Sequence, residues 1–389
     1  MRGLPTVVVV SMCVGFGAFG LARQDGGANA GGWDRAGAAK YLDERMEIWL
    51  AEGKPLRTGD DTTNCSSCHT TVPYALARPA LRRASGAEAQ TSQERRLVEQ
   101  VIARVESYGN HELMYEFNEA KQIESQGTEA VLNALILVNA DADGDHGMIT
   151  VATRAALEQL WKTQRPDGAW EWLDFGLEPF ETTEATYHGA ALAALAIGTA
   201  GAGITSHQSE AAAAIDKLRG YLKSTYAARS LFNRTYVLLA SGRFPGLLTT
   251  AEREALMEQL QHRQQDDGGW SLSALGEWRW SRFEAPFDSP GTLDAALLAR
   301  SDGYATGLVV HALREAGVST THAMVRRGLD WLRSNQQSIA VNDRAPAAWR
   351  AYSLNFDREH GGEKGEVVRR LFMSDLATGF AVLALSGAD

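Results

Sequence analysis

The sequence predicts an all-α fold in which an outer ring of helices surrounds an inner one. Helical periodicity dominates the chain, and strand-type alternation is nearly absent. The helical segments are of two kinds that alternate six times. In chain order the first kind is amphipathic and charged on one face: Ala36–Leu50, Ser92–Tyr108, Thr150–Gln164, Ser209–Thr225, Thr249–Gln265 and Thr320–Gln336. The second is alanine-rich and apolar nearly all round: Val72–Leu81, Thr128–Asn139, Ala185–Ile197, Leu231–Ala240, Ala305–Ala316 and Leu376–Leu385. A helix apolar on every side must be buried on every side, so the second kind forms the inner ring and the first covers it.

Internal repetition supports the ring. Gln164-Arg165-Pro166-Asp167-Gly168-Ala169-Trp170 recurs as Gln264-Gln265-Asp266-Asp267-Gly268-Gly269-Trp270, each copy starting where an amphipathic segment ends. A third, degraded copy runs from Asn335-Gln336-Gln337 to Trp349 without the Asp-Gly pair. The starts of two inner segments also repeat, as Ser301-Asp302-Gly303-Tyr304-Ala305-Thr306-Gly307 and Ser374-Asp375-Leu376-Ala377-Thr378-Gly379. Asp-Gly supplies a turn, and glutamine with tryptophan can tie one helix end to its neighbour. These motifs therefore read first as staples of the ring.

The Gln-x-x-Asp-Gly-x-Trp copies resemble the QW repeats of squalene–hopene cyclases and related α/α-toroid proteins, including prenyltransferase β subunits. The resemblance covers the chain from about Ala36 onward and implies a six-pair α/α toroid. It is specific for fold and weak for activity. The DxDD proton donor of class II cyclases has no counterpart: Asp141-Ala142-Asp143-Gly144-Asp145 carries glycine in its fourth position and reads as a solvated turn, with a weak calcium loop lacking the full twelve-residue pattern as the alternative. No cysteine remains to supply a prenyltransferase zinc set.

Of the 389 residues, 44% are hydrophobic and 22% charged, with a formal net charge of −10. This acidic balance argues against a nucleic-acid partner. The basic start Met1-Arg2, the apolar run Leu4–Leu21 and the small-residue exit predict a signal peptide over residues 1–22, followed by a flexible linker over 23–32 and the toroid over 33–389. A lipoprotein anchor through Cys13 is disfavoured by the bulky Met12 before it. No other segment is apolar enough to span a bilayer, so the expected product is exported and lacks a membrane span.

Cleavage leaves two cysteines, both in Cys65-Ser66-Ser67-Cys68-His69. This pentapeptide matches the attachment motif of c-type cytochromes. The expectation is one covalent haem c per chain, held by Cys65 and Cys68, with His69 as the proximal iron ligand. A redox-active dithiol and half of a zinc site are the alternatives; the first lacks its βαβ setting and the second its remaining ligands. The candidates for the distal iron ligand are Met373 or Met114, then His111 and His360.

In a ring of parallel inner helices, all outer-to-inner loops share one rim. Residues 65–69 should therefore lie on the same rim as Trp170, Trp270 and the inner-helix N-termini with Glu129, Glu184, Asp302 and Asp375. Those carboxylates either offset helix dipoles or act as acid/base groups, with Glu184, Asp302 and Asp375 as the catalytic candidates. Tyr187, His188 and Tyr304 fall at the same mouth. Long loops at 165–183, 266–301 and 337–374 carry aromatic residues, among them Trp172, Phe180 and Trp278, that could line a cavity with Trp170, Tyr187, Trp270 and Tyr304.

The functional expectation is haem-dependent redox chemistry or electron transfer, with a redox partner protein or an apolar, isoprenoid-like small molecule. The alternatives are a non-catalytic lipid-binding toroid, and a glycoside hydrolase or lyase using Glu184 with Asp302 or Asp375.

Overall fold

The computed structural model describes residues 32–53, 55–58, 61–108, 118–144, 149–201, 204, 209–278, 295–355 and 366–388. Compact packing runs from Asp34 to the C-terminus as one unit. Its helices are α1 (Arg35–Glu52), α2 (Thr71–Ala84), α3 (Ser92–Glu106), α4 (Glu119–Asp143), α5 (Val151–Lys162), α6 (Ala185–Ala200), α7 (Ser209–Ser224), α8 (Leu231–Ser241) and α9 (Thr250–Arg263). They are followed by the short α10 (Ala295–Leu298), α11 (Gly303–Glu315), α12 (Ala323–Ser334), the short α13 (Glu366–Arg370) and α14 (Phe372–Leu385).

The inner ring closes as α2, α4, α6, α8, α11, α14 and back to α2, each packed on the next. The outer helices are α1, α3, α5, α7, α9 and α12, so the fold is the six-pair α/α toroid that the sequence predicts. Composition sorts the two rings. In α6 every residue from Tyr187 to Ile197 is buried, whereas α9 buries only Leu256 and Leu260. Polar residues set the helix starts. Thr91 with Glu94 and Thr249 with Glu252 form reciprocal capping boxes, and Asp34, Asn118, Thr150, Ser230 and Asp302 cap other N-termini with their side chains.

The repeats are staples. Trp170, Trp270 and Trp349 are fully buried, and their indole N–H groups donate to the carbonyls of Leu160 (2.8 Å), Leu260 (2.7 Å) and Leu332 (2.8 Å). Gln164 donates to Gly168 O and Ala214 O, and Gln264 to Gly268 O and Met324 O, tying each turn to the next outer helix. Gly168 and Gly268 sit at φ of +97° and +96°, and a Cβ on either would meet backbone of that same helix within 2.7 Å. The degraded third copy closes the ring: Gln336 exchanges two hydrogen bonds with the backbone of Asp34, at the start of α1.

Three details differ from the sequence reading. α4 starts nine residues before the predicted Thr128, because Asn118 caps it there. Two small antiparallel hairpins appear, β1 (Pro55–Thr58) with β2 (Asp61–Asn64) and β3 (Gln337–Ser338) with β4 (Ala347–Ala348). Asp143 is no solvated turn residue; it ends α4 with its side chain buried between Arg82 and Arg83. Among the described residues, no helix is long and apolar enough to cross a membrane.

Candidate functional site at the toroid axis

Residues 65–69 lie in the loop that enters α2, on the rim where the inner helices begin. Hydrogen bonds fix this turn from several sides. The Trp49 indole donates to Cys65 O, Ser66 donates to Asn133 of α4 (2.6 Å), and Thr71 Oγ1 accepts from Ser67 N (2.7 Å). Ser67 Oγ and His69 Nδ1 share a hydrogen bond of 3.0 Å. Thr70 Oγ1 donates to Asp375, which also holds Tyr41 and Arg45, so the turn is braced against the first turn of α14.

The His69 ring stacks on Phe372 at 4.2 Å and meets Phe180 edge-on at 5.9 Å. Phe180 is the centre of an aromatic box. His188 of α6 (5.7 Å), Phe232 of α8 (6.0 Å) and Tyr304 of α11 (5.9 Å) surround it, giving contributions from four inner helices or their entry loops once His69 is included. Trp172 and Trp278 pack behind His188 and Phe232, and Tyr236 and Phe380 form the floor. The hydroxyls of Tyr236 and Tyr304 hydrogen-bond at 2.8 Å.

Burial sets the protonation of this box. His188 is wholly enclosed, and desolvation lowers its pKa to about 3, so it is a neutral imidazole; its Nδ1 has no hydrogen-bond partner. Burial, with Glu181 and Cys65 adding to it, pushes the Cys68 thiol far above its ordinary value. At neutral pH this favours the thiol over the thiolate.

Phe180 is carried by a hairpin-like loop. Phe175 N and Leu177 N donate to Glu181 O, and Asp174 accepts from Gly176 N and the Thr183 hydroxyl. The loop tip is latched across the rim: Glu178 N donates to Asn355 Oδ1 (2.9 Å), and Asn355 Nδ2 donates back to Glu178 O (2.6 Å).

The three candidate carboxylates all have structural partners. Glu184 is exposed and pairs with Arg229 at 2.8 Å. Asp302 caps α11, accepting from Tyr304 N, Ala305 N and Leu272 N, while burial raises its pKa to about 6. Asp375 pairs with Arg45. Each carboxylate is held by its own partner, and none hydrogen-bonds to another. Glu129 is likewise engaged, by Arg104. Of the expected cavity residues, Trp172 and Tyr304 belong to the box. Trp170 and Trp270 are staples, and Tyr187 points away, its hydroxyl on Leu222 O and Arg229 over its ring. Met373 lies half-buried in the first turn of α14; Met114, His111, His360 and Cys13 fall outside the described residues.

The sequence reading missed Phe232, Tyr236, Phe372 and Phe380 as site residues. One signal was available: Phe232 and Tyr236 are spaced i, i+4 on an inner helix, so they share a face.

No protein-family profile and no curated protein matches the chain. Solved structures do. An unsaturated glucuronyl hydrolase from Bacillus sp. GL1 superposes with a TM-score of 0.51 at 11% identity, over 90% of this chain and 95% of that one. A polysaccharide lyase (0.48, 10% identity, 90% and 96% covered) and an α-1,6-mannanase of Salegentibacter sp. HEL1_6 (0.47, 10%, 92% and 100%) are also similar. At such identity the likeness shows the α/α-toroid fold alone.

These findings correct the cytochrome reading. The labels of haem and iron binding, electron transfer and squalene-cyclase or prenyltransferase kinship are not sustained. The glucuronyl hydrolase that shares the fold is a toroid of a different kind from those, and among the described residues no three His, Cys, Asp or Glu side chains gather as a metal-binding group. Residues 65–69 form a braced rim turn that contributes His69 to the aromatic box.

Proposed function

We propose that this chain is an exported carbohydrate-binding toroid that holds a sugar ring in the axial box now occupied by Phe180. The observation that carries the reading is the combination inside the box. Aromatic faces surround a side chain that comes from a loop and not from the ring itself, beside a buried, unpartnered imidazole nitrogen. Pyranose rings offer apolar C–H faces to aromatic rings and hydroxyls to polar groups. A buried polar atom without a partner costs about 1–3 kcal/mol, and a sugar hydroxyl on His188 Nδ1 would remove that cost. An isoprenoid hydrocarbon would not, which favours the polar ligand. The fold shared with a hydrolase named for glycosaminoglycan degradation is compatible with this reading, though fold alone does not assign it.

Binding is preferred over hydrolysis by a carboxylate pair, because Glu184, Asp302 and Asp375 are held by Arg229, backbone amides and Arg45. Tyr236 and Tyr304, both raised above their ordinary pKa by burial, are hydrogen-bond donors and not bases. The test is calorimetric titration with neutral and uronate-bearing oligosaccharides. Saturable binding that strengthens in Phe180→Ala and weakens in His188→Phe is expected. No binding by either wild type or Phe180→Ala across the panel overturns the reading.

A further inference from the structure

The opposite rim, where the inner helices end, carries a cavity of about 290 Å³. His311, Arg314 and Glu315 from the last turns of α11, Thr320 from the following loop, and Leu383 and Ser386 from the end of α14 line it. Its size is at the lower limit for small-molecule sites, which run from about 300 Å³ upward. It belongs to a different surface from the axial box, yet the two are joined through one ring. His311 rests edge-on against Phe380 at 6.4 Å, and Phe380 is part of the floor beneath Tyr236 and Tyr304.

The charges around this cavity are already satisfied within the protein. Glu315 accepts from Arg243 Nε at 2.9 Å. Arg314 spends its terminal nitrogens on the carbonyls of Ala384, Ser386 and Gly387, capping the C-terminus of α14. Two polar groups remain. Ser386 Oγ is buried without a hydrogen-bond partner, and among the described residues nothing hydrogen-bonds to the ring nitrogens of His311. Desolvation holds His311 neutral, with its pKa lowered to about 4, so it offers one donor and one acceptor. The hydroxyls of Ser386 and Thr320 can act either way, and the Glu315 carboxylate accepts.

We propose that this cavity is a binding site for a small neutral polyol of about monosaccharide size. A ligand with hydroxyls matches a lining of mixed donors and acceptors whose ion pairs are closed internally. A strongly anionic ligand would face Glu315, and a cation would face Arg314 and Arg243. An apolar ligand would leave Ser386 Oγ and the His311 nitrogens unpaired.

Histidine-selective NMR of the full exported chain tests this, with the His311 resonance assigned by its loss in His311→Gln. Glucose, mannose, galactose and myo-inositol are the probes, with glucuronate as the charged contrast. At least one neutral polyol should shift the His311 resonance saturably and bind roughly fivefold more weakly in Ser386→Val, the loss of one neutral hydrogen bond. The His188 resonance, read in the same spectra, reports the axial box separately, so failure at one site leaves the other judged on its own. No His311 shift with any neutral polyol, equal binding by Ser386→Val, or a shift with glucuronate alone overturns the proposal.

Discussion

Arg45 grips Asp375 with two nitrogens, Nε on Oδ1 at 2.8 Å and a terminal nitrogen on Oδ2 at 3.0 Å, across 330 positions of sequence. The pair joins the first outer helix to the last inner one, and both side chains are almost fully buried. Removing one partner strands the other charge, which typically costs about 3–5 kcal/mol. Arg45→Met and Asp375→Asn should each lower the urea midpoint sharply. Arg45→Met/Asp375→Asn, which strands no charge, should lose less than the sum of the singles. Additive losses in a double-mutant cycle would show that the two residues do not act as a pair.

The QW staples make a second prediction. Gln164→Ala removes donations to Gly168 O and Ala214 O, and Gln264→Ala removes the equivalent pair. Each loss should cost about 1–3 kcal/mol. The two turns lie in different pairs of the ring and share no partner, so the double variant should show the sum within about 0.5 kcal/mol. A thermal melt of the four proteins checks this. A double variant no less stable than either single would mean the turns are not independent staples.

How much of this was legible beforehand follows from what each residue's role depends on. The two rings were readable because their signal is local: all-round apolarity in Ala185–Ile197 against one charged face in Ser209–Thr225. The staples were readable because they repeat. The aromatic box was not, because it depends on rings from α6, α8 and α11 and two loops meeting at the axis, and no pattern within one helix encodes that meeting. Glu184 and Asp375 stand at the starts of α6 and α14, whereas Glu129 lies inside α4, and the partners of the first two, Arg229 and Arg45, are 45 and 330 positions away. The Cys-x-x-Cys-His reading rests on five consecutive residues, because thioether attachment and a proximal ligand need only those, and no contact within the ring encodes it.

Acid should destabilise the protein through the enclosed His188 and the partly buried His311. His188 and His311 have folded pKa values lowered to about 3 and about 4, against about 6.5 in the unfolded chain. Between those limits the unfolded state binds more protons, so stability falls as pH drops below about 6.5. From pH 7 to 4.5 each histidine should contribute a loss of about 2–3 kcal/mol. Urea titrations at the two pH values should show the loss reduced in His188→Phe and again in His311→Leu. An unchanged slope in both variants would place the acid sensitivity elsewhere.

Phe180 links stability to binding in opposite directions. Its ring is 5% exposed and meets His69, His188, Phe232 and Tyr304, so Phe180→Ala leaves a cavity at the axis that should cost about 3–5 kcal/mol. The same cavity is the space a sugar ring needs, and the variant no longer requires the loop to withdraw before binding. Affinity for an oligosaccharide that binds the wild type should therefore rise, and saturating ligand should restore part of the lost melting temperature. Asn355→Ala, which only unlatches the loop tip from Glu178, should raise affinity less and leave the core packing intact. Weaker binding in Phe180→Ala would instead make Phe180 a wall of the site and not its occupant.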